Sequence, residues 1–216
     1  CTIYAKAKER SRILLFGSGT TSGGYGFDLV NGTANAIDQT QRSSARYFQR
    51  EDNEHVKYDA TRTSLMGSGG RMQLIRQKGH WTFLSAFLWK SPGFELNDIG
   101  YLRQADQLFA MVWGQYKVWE PKGIYRNWNI GGDYYYVSDF GGNVLGHGLE
   151  ANGNISFKNF WNLWAHANLN TNGISNTMLR GGPKMRTQGG LSSGFNISSD
   201  NRNNNSNRNN TGNSKI

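Results

Sequence analysis

Apolar and polar side chains alternate along most of the chain between about residues 63 and 198. The clearest stretch is 149–157, where Leu149 and Ile155 belong to an apolar set and Glu150 belongs to a polar set. A helix would mix these sets on each face, because its side chains repeat every 3.6 residues rather than every two. The alternation therefore predicts β-strands that have one apolar and one polar face.

The pattern predicts an all-β fold, an antiparallel up-and-down meander of about eight strands. The predicted strands cover residues 12–22, 64–76, 80–90, 107–118, 124–137, 149–157, 161–170 and 187–198. Short connections (77–79, 120–123 and 158–160) alternate with longer ones (23–62, 91–106, 138–143 and 172–186). Successive connections of a meander lie at opposite ends of its sheet, so we expect the long loops at one end.

Three features favour a transmembrane β-barrel, or part of one, in the bacterial outer membrane. The strands have the length that crosses a bilayer at a tilt. Short turns at one end and long loops at the other are typical of outer-membrane barrels. The polar face is rich in Asn, Gln, Ser and Gly, which suits a lumen. The alternative is a soluble β-sandwich or lipocalin-like barrel, in which the apolar face forms the core.

Composition and charge exclude several other classes. The net charge is +9, but no run of five or six basic residues occurs, so we expect no nucleic-acid partner. No window holds eighteen apolar residues, which excludes a transmembrane helix. Cys1 is the single cysteine, so the chain has no internal disulfide, and it would accept a lipid anchor if it began a mature lipoprotein.

The last eighteen residues differ from the rest of the chain. Residues 199–216 contain eight asparagines and almost no large apolar side chains. Such a segment buries too little surface to offset the entropy lost on ordering. The sequence therefore predicts a β domain over residues 1–198 and a disordered Asn-rich tail over 199–216.

Five uncommon strings carry a resemblance to a known family. They are "QRSSARYFQREDNEHVKYDATRTSLMGSGG" (41–70), "SPGFELNDIGYLRQADQ" (91–107), "GIYRNW" (123–128), "DFGGNVLGHG" (139–148) and "NTMLRGGPKMR" (176–186). In this order and spacing, the chain resembles the C-terminal barrel domain, itself of unknown function, of a family of Bacteroidetes outer-membrane proteins. Members of that family usually carry an N-terminal family 9 carbohydrate-binding β-sandwich.

The resemblance implies an outer-membrane location and a role in transport or surface handling of glycans. It implies lipid as a partner, and a glycan or a surface protein as a further partner. The carbohydrate-binding sandwich is absent from this sequence, so the resemblance also implies a fragment of a longer protein. Family members are labelled as hydrolases mainly through the attached sandwich, and that label does not transfer to this chain.

The catalytic candidates are three acids of one loop, Glu95, Asp98 and Asp106. A surface glycoside hydrolase would need two such carboxyl groups about 5–10 Å apart, one with a raised pKa. Arg103 lies in the same loop, and pairing with an acid would instead lower its pKa. The alternative is a structural loop in which Asp–Arg bonds and a short helix, capped by Asn97 or Asp98, hold the chain.

Arginine and aromatic side chains in the long loops form a second group of candidates, because they suit sugars, lipid phosphates or a protein surface. The alternative is that they pack the loops on one another at the barrel mouth. These residues are Arg42, Arg46, Tyr47, Arg50, Phe94, Tyr101, Arg103 and Arg180. The four histidines are scattered, without metal-ligand spacing, so the sequence predicts no metal site and no cofactor.

Overall fold

A computed structural model of the chain contains thirteen strands and one helix in the part it describes. It describes the backbone of residues 2–7, 10–17, 21–95, 101–199 and 213–215, and the side chains of residues 29–95 and 101–199. The strands are β1 (Thr2–Ala7), β2 (Arg10–Gly17), β3 (Thr21–Asn31), β4 (Ser64–Arg76), β5 (Trp81–Lys90), β6 (Gln107–Val118), β7 (Tyr125–Ser138), β8 (Val144–Phe157), β9 (Asn162–Asn170), β10 (Gly173–Ser175), β11 (Met185–Thr187), β12 (Gly190–Ser198) and β13 (Asn213–Lys215). The helix is α1 (Ala34–Arg42). The predicted all-β class is confirmed.

Eleven of the strands form one antiparallel sheet that follows chain order. The order runs from β1 to β9 and continues with β12 and β13, while β10 and β11 form a separate two-stranded sheet. The predicted up-and-down meander is therefore confirmed. Within the described residues the large sheet is open, with β1 and β13 at its edges. Closure into a barrel is not confirmed and stays a prediction.

The predicted number of about eight strands is wrong. Within the predicted strand 12–22, residues 12–17 belong to β2 and residues 21–22 to β3, and β8 begins five residues before the predicted position 149. Charged residues such as Arg10 and Arg12, and the glycines of "SGGYG" (22–26), hide the alternation near the start of the chain. The strands β10 and β11 have three residues each, too few to show a period of two.

The predicted disordered tail falls mostly outside the described residues, which resume only at residue 213. There Asn213–Lys215 form β13, which pairs with Leu191, Ser192 and Ser193 of β12. The described part of the tail is therefore a short edge strand, and the prediction of disorder is not tested for residues 200–212.

The register of the sheet assigns each strand residue to one of two faces. We call the inner face the one that carries Leu65 and Gly67 of β4, and the outer face the one that carries Met66 and Leu74. On the inner face, Gln73 is aligned with Ala86 of β5, and Ala86 is aligned with Met111 of β6. Residues of one face therefore pair with residues of the same face on the next strand. The sets predicted for residues 149–157 coincide with this division, because Leu149 and Ile155 lie on the outer face and Glu150 on the inner face.

The long connections lie together at one end of the sheet, as predicted. We call them the loop layer, which comprises residues 32–63, 91–106, 139–143 and 171–189, of which 96–100 are not described. The opposite end has the short turns between β4 and β5, β6 and β7, and β8 and β9. Among the described residues, no helix is long and apolar enough to cross a membrane.

Helix α1 begins the loop layer and packs against the inner face. The hydroxyl of Thr33 accepts a hydrogen bond from the backbone N–H of Ala36 at 3.3 Å, which caps the helix at its N-terminus. Ile37 is 1% exposed and joins a small apolar core. The other buried members of that core are Val30, Phe48 and Leu65. The core therefore fixes the first loop to β3 and β4.

Glycines in β4 allow the second loop to lie directly on the inner face. A Cβ atom on Gly67 would lie 2.1 Å from the backbone nitrogen of Phe94, and one on Gly69 would lie 2.5 Å from the Phe94 ring. A Cβ atom on Gly93 would lie 2.2 Å from the carbonyl oxygen of Met66. Only glycine leaves room for this approach. The glycines of "GSGG" (67–70) and "SPGF" (91–94) therefore allow one close contact between β4 and the second loop.

Substitution of Gly67 by alanine should destabilise the protein, because the new methyl group meets the backbone of Phe94 and the loop must move. We expect Gly67→Ala to cost about 1–3 kcal/mol, the usual cost of overpacking. Gly146 of β8 is the matched control, since a Cβ atom there meets nothing within 4 Å. The midpoint of thermal unfolding, followed by circular dichroism, measures both variants; equal shifts would contradict the close approach.

Candidate functional site

Arg46 is the centre of the contact between the first and second loops. Its side chain is 0% exposed, and its Nη1 atom lies 3.0 Å from Oε2 of Glu95 in an ion pair. The guanidinium also donates hydrogen bonds to the carbonyl oxygens of Pro92, at 3.2 Å, and of Phe94. A buried guanidinium with a carboxylate and carbonyl partners satisfies the rule that buried charge is paired. Arg46 therefore holds residues 92–95 in place.

The pairing of the loop acids differs from the sequence expectation. Glu95 is paired with Arg46, and Arg103 is exposed to solvent rather than bound to that acid. Arg46 belongs to another loop and is far from Glu95 along the chain, so no local spacing in the sequence indicates this pair. The predicted helix capped by Asn97 or Asp98, like Asp98 itself, lies outside the described residues.

Asp106 ends the second loop and faces the first and third loops. Its carboxylate oxygens lie 2.8 and 3.0 Å from Nε2 of His55, and Oδ1 accepts a hydrogen bond from the backbone N–H of Phe140 at 3.0 Å. The next backbone N–H upstream, that of Ala105, donates to the carbonyl oxygen of Ala45 at 2.9 Å. Asp106 is 4% exposed, so it is a buried junction of three loops.

Arg50 connects the first loop to the fourth. It is 3% exposed, and its Nη1 atom donates to the carbonyl oxygen of Asn176 at 3.2 Å. Gln104 of the second loop donates to the side-chain oxygen of the same Asn176 at 3.0 Å. Asn176 is thus a second junction, and the four loops form one connected layer.

Arg42 lies at the end of α1 and is exposed. Its Nε atom lies 3.0 Å from Oδ1 of Asp38 and 3.2 Å from the hydroxyl of Tyr58, and its guanidinium lies over the Tyr58 ring. The hydrogen bond from the Tyr58 hydroxyl, followed by that from Arg42, lowers the pKa of the Asp38 carboxyl. This cluster fastens the helix to the segment around residue 58.

The remaining binding candidates divide between buried and exposed positions. Phe94 is buried in a cluster with Ala45, Leu102 and Ala105. Tyr47 is half-buried and has a φ of 51°, and Arg180 is exposed and has a φ of 50°. Tyr101 is 85% exposed. Contact with a ligand is therefore open to Tyr101, Arg103, Arg180 and Arg42, whereas the buried candidates hold loops together.

The geometry of the two described acids favours a structural role over hydrolysis. Glu95 and Asp106 are each 4% exposed, and each has a partner from another loop. A glycosidase acid must contact the scissile bond, and one of the pair needs a raised pKa. Burial against Arg46 and His55 leaves neither acid accessible to the scissile bond of a glycan.

Three residues that the sequence did not single out are central to the loop layer: His55, Asp139 and Asn176. Donor atoms of His55, Asp106 and Asp139 all lie within 4.8 Å of one another, which forms a group that could hold a metal ion. Each residue comes from a different loop, so no spacing along the chain signals the group. The only sequence signal for Asp139 is its place in the string "DFGGNVLGHG".

Replacement of Glu95 by glutamine should destabilise the loop layer strongly. The variant keeps the shape of the side chain but removes the carboxylate charge from a buried ion pair, and removal of one partner of such a pair costs about 3–5 kcal/mol. Asp38→Asn removes the carboxylate of the exposed pair with Arg42 and should shift the unfolding midpoint very little. Chemical denaturation measures both; similar small shifts would show that the Arg46–Glu95 pair is dispensable.

Comparison with known proteins supports the resemblance at the level of the domain. No curated protein and no solved structure matches this chain significantly. The Bacteroidetes source and the linked carbohydrate-binding domain stay predictions. One protein-family model, described as a domain of unknown function (DUF5916), matches residues 5–214. Because that match covers nearly the whole chain, the chain belongs to the DUF5916 family.

Proposed function

We propose that this chain is the membrane-spanning part of a bacterial outer-membrane β-barrel that acts in transport or in surface handling of glycans. The observation that carries the proposal is a row of exposed apolar side chains across the outer face, interrupted only at Ser85 of β5. Hydrogen-bond registers place Leu191, Leu169, Leu149, Tyr134, Val112, Ser85 and Leu74 side by side on seven strands. Its six large side chains are 43–62% exposed.

An apolar surface of this extent needs a partner. Water would contact the whole row, and soluble monomers rarely expose so large a continuous apolar patch. A soluble β-sandwich would cover it with a second sheet. Within the described residues, the exposure of the row shows that no such layer covers it. Lipid tails satisfy the surface directly, so lipid is the partner that fits best.

Aromatic side chains border the apolar face at the end with short turns. Trp81 contacts Tyr116 edge-on with ring centroids 4.9 Å apart, and Tyr116 contacts Trp128 at 5.6 Å. At the same end Nζ of Lys117 lies 5.7 Å from the centre of the Trp119 ring. Tryptophan, tyrosine and nearby cations are typical of the membrane–water interface. This group supports a boundary of the lipid region at the short turns.

A second boundary is marked by Trp89, which lies on the outer face of β5 eight residues after Trp81. At about 3.3 Å per residue, the two positions are about 26 Å apart along the strand. The outward apolar band of membrane barrels is about 25 Å tall, and strand tilt shortens the strand's span along the membrane normal. The row through Ser85 lies midway between the two tryptophans, so it would lie near the centre of the bilayer.

The inner face is mainly polar over β7, β8, β9 and β12, where Asn, Ser and Gly predominate, and this part of it suits a hydrated interior. Gln115 donates to Asn129 at 2.9 Å, and Ser156 donates to Asn162 at 2.6 Å, each across a pair of strands. Side-chain amides and hydroxyls donate and accept hydrogen bonds, so they can bind both water and the hydroxyl groups of sugars. This face supports passage or binding of hydroxyl-rich solutes, which is the chemical basis for proposing a role with glycans.

Surface hydrolysis by loop carboxylates remains the alternative, but no observation favours it. It requires that Glu95, Asp98 or Asp106 contact a glycan. The hydrolase would be favoured if the folded protein hydrolysed a glycan and the Asp106→Asn variant lost this activity without a change in its unfolding midpoint. That result would count against a barrel whose loops are only structural.

Adjacent residues of β8 should report opposite environments in a membrane. In a Cys1→Ser background, Ala151→Cys places a thiol on the outer face and Asn152→Cys places one on the inner face. Each thiol carries an environment-sensitive fluorophore, and the protein is reconstituted in lipid vesicles. We expect nitroxide-labelled acyl chains to quench the label at 151 much more than the label at 152. Equal quenching, or a stable detergent-free monomer, would refute a lipid-facing outer surface.

An arginine in the middle of the outer face should be costly, and one near the border should not. We expect Leu149→Arg to destabilise the protein in lipid by about 2–4 kcal/mol, and Ile155→Arg, in the row of Trp128, by about 0–1 kcal/mol. Denaturant unfolding in lipid vesicles measures both. In a soluble protein with a packed core the two costs would be similar, and that result would contradict the proposal.

A further inference from the structure

Three side chains with metal-binding atoms converge inside the loop layer. His55 comes from the first loop, Asp106 from the end of the second, and Asp139 from the start of the third. Their donor atoms all lie within 4.8 Å of one another. Nε2 of His55 lies 2.8 and 3.0 Å from the two carboxylate oxygens of Asp106, which points the ring nitrogen at both.

The charges of this group are not balanced by the side chains described around it. Asp106 is 4% exposed and Asp139 is 0% exposed. His55 is the partner of Asp106 in an ion pair, and no ion pair to Asp139 occurs among the described residues. Buried charge of this kind is normally paired or bound to a metal ion, and a divalent cation would supply the missing positive charge.

The donors select the kind of cation. Imidazole nitrogen together with carboxylate oxygen suits Zn²⁺ and related transition metals, whereas Ca²⁺ and Mg²⁺ prefer oxygen alone. Two ligand atoms at about 2.1 Å from a tetrahedral Zn²⁺ lie about 3.4 Å apart. The observed separations, from 2.8 Å up to the limit of 4.8 Å, include this value. Small side-chain rotations would therefore suffice.

Neighbouring groups already orient the two carboxylates and the imidazole. Asn143 donates from its backbone and from its side chain to Asp139, at 2.8 Å in each case. The backbone N–H of Phe140 holds Oδ1 of Asp106 at 3.0 Å. A Cβ atom on Gly141 would lie 2.3 Å from Nδ1 of His55, so the turn is in contact with the ring. Outer partners of this type fix the ligands of protein metal sites.

We propose that His55, Asp106 and Asp139 bind a divalent transition-metal cation of the Zn²⁺ type. The cation ties together three loops that are far apart in the chain. Burial of Asp106 and Asp139 makes the role structural, since a substrate could not reach these two ligands. The site does not depend on the proposed membrane function, because it lies wholly within the loop layer.

The test measures zinc in the chain purified in detergent, stripped with chelator and dialysed against Zn²⁺. We expect one Zn²⁺ per chain and a higher unfolding midpoint than that of the stripped protein. His55→Gln and Asp106→Asn should each weaken Zn²⁺ binding about tenfold to hundredfold or more, whereas His80→Gln, at an exposed histidine of a short turn, should bind as the parent does. Co²⁺ in place of Zn²⁺ gives an absorption spectrum that reports the ligand geometry.

Several outcomes would overturn the proposal. Equal amounts of bound Zn²⁺ in the parent chain and in His55→Gln would show that Zn²⁺ binds only at the surface. An equal loss of Zn²⁺ in His80→Gln and in His55→Gln would show the same. Stabilisation by Ca²⁺ equal to that by Zn²⁺ would exclude the assigned cation class. Because His55 is partly exposed, His55→Gln is expected to fold, and circular dichroism of the stripped variant checks that a loss of zinc is not a loss of fold.

Discussion

Unbroken antiparallel pairing from β3 to β12 is the constraint on which the rest of the molecule depends. Each ladder joins residues in a register that preserves face, so that Leu149, for example, is aligned with Leu169 on one side and with Tyr134 on the other. A slip of one residue in any pair would exchange the two faces of every strand beyond it. Among the described residues, the pair of β7 with β8 is the irregular one, and its register shifts lie near its two ends, beyond the apolar row. The ladder therefore produces an apolar surface on one side and, over β7 to β9 and β12, a mainly polar surface on the other.

The loop layer depends on that ladder for its position and on buried polar contacts for its cohesion. Apolar contacts within it are few: the two clusters around Ile37 and Phe94 involve eight buried residues. Hydrogen bonds and ion pairs between buried polar groups supply much of the remaining cohesion of the loop layer. The Gln41 side chain, 0% exposed, donates to the carbonyl oxygen of Asp59 at 2.8 Å and accepts from its backbone N–H at 3.1 Å, as a strand residue would. Such contacts are specific in geometry, so the loops have one arrangement rather than many.

Where it is clear, the alternation of period two was enough to predict strands and their faces from the sequence. Little that depends on contacts between distant segments could be predicted in this way. Residues 149–157 and 161–170 were assigned to strands and faces correctly because apolar and polar side chains alternate there, with Trp164 as the exception. The first 31 residues were misread because glycine and arginine replace that contrast. Arg46 was identified as a candidate, but its partner Glu95 lies 49 residues away, and only the fold shows that the pair is buried. His55 and Asp139 escaped notice for the same reason, since metal-ligand spacing is read from one segment and these residues come from two.

Strand direction also limits how the large sheet could become a barrel. In an up-and-down meander, alternate strands run in opposite directions, so the first and eleventh strands of this sheet run in the same direction. Direct pairing of β1 with β13 would therefore be parallel, whereas bacterial single-chain barrels are antiparallel and contain an even number of strands. In a bilayer, unpaired edge groups are each costly, and open edges are not tolerated. Closure with antiparallel pairs alone therefore requires an odd number of further strands between these two edges. The proposed membrane location is compatible with this sheet, which is open within the described residues, only if further strands complete it.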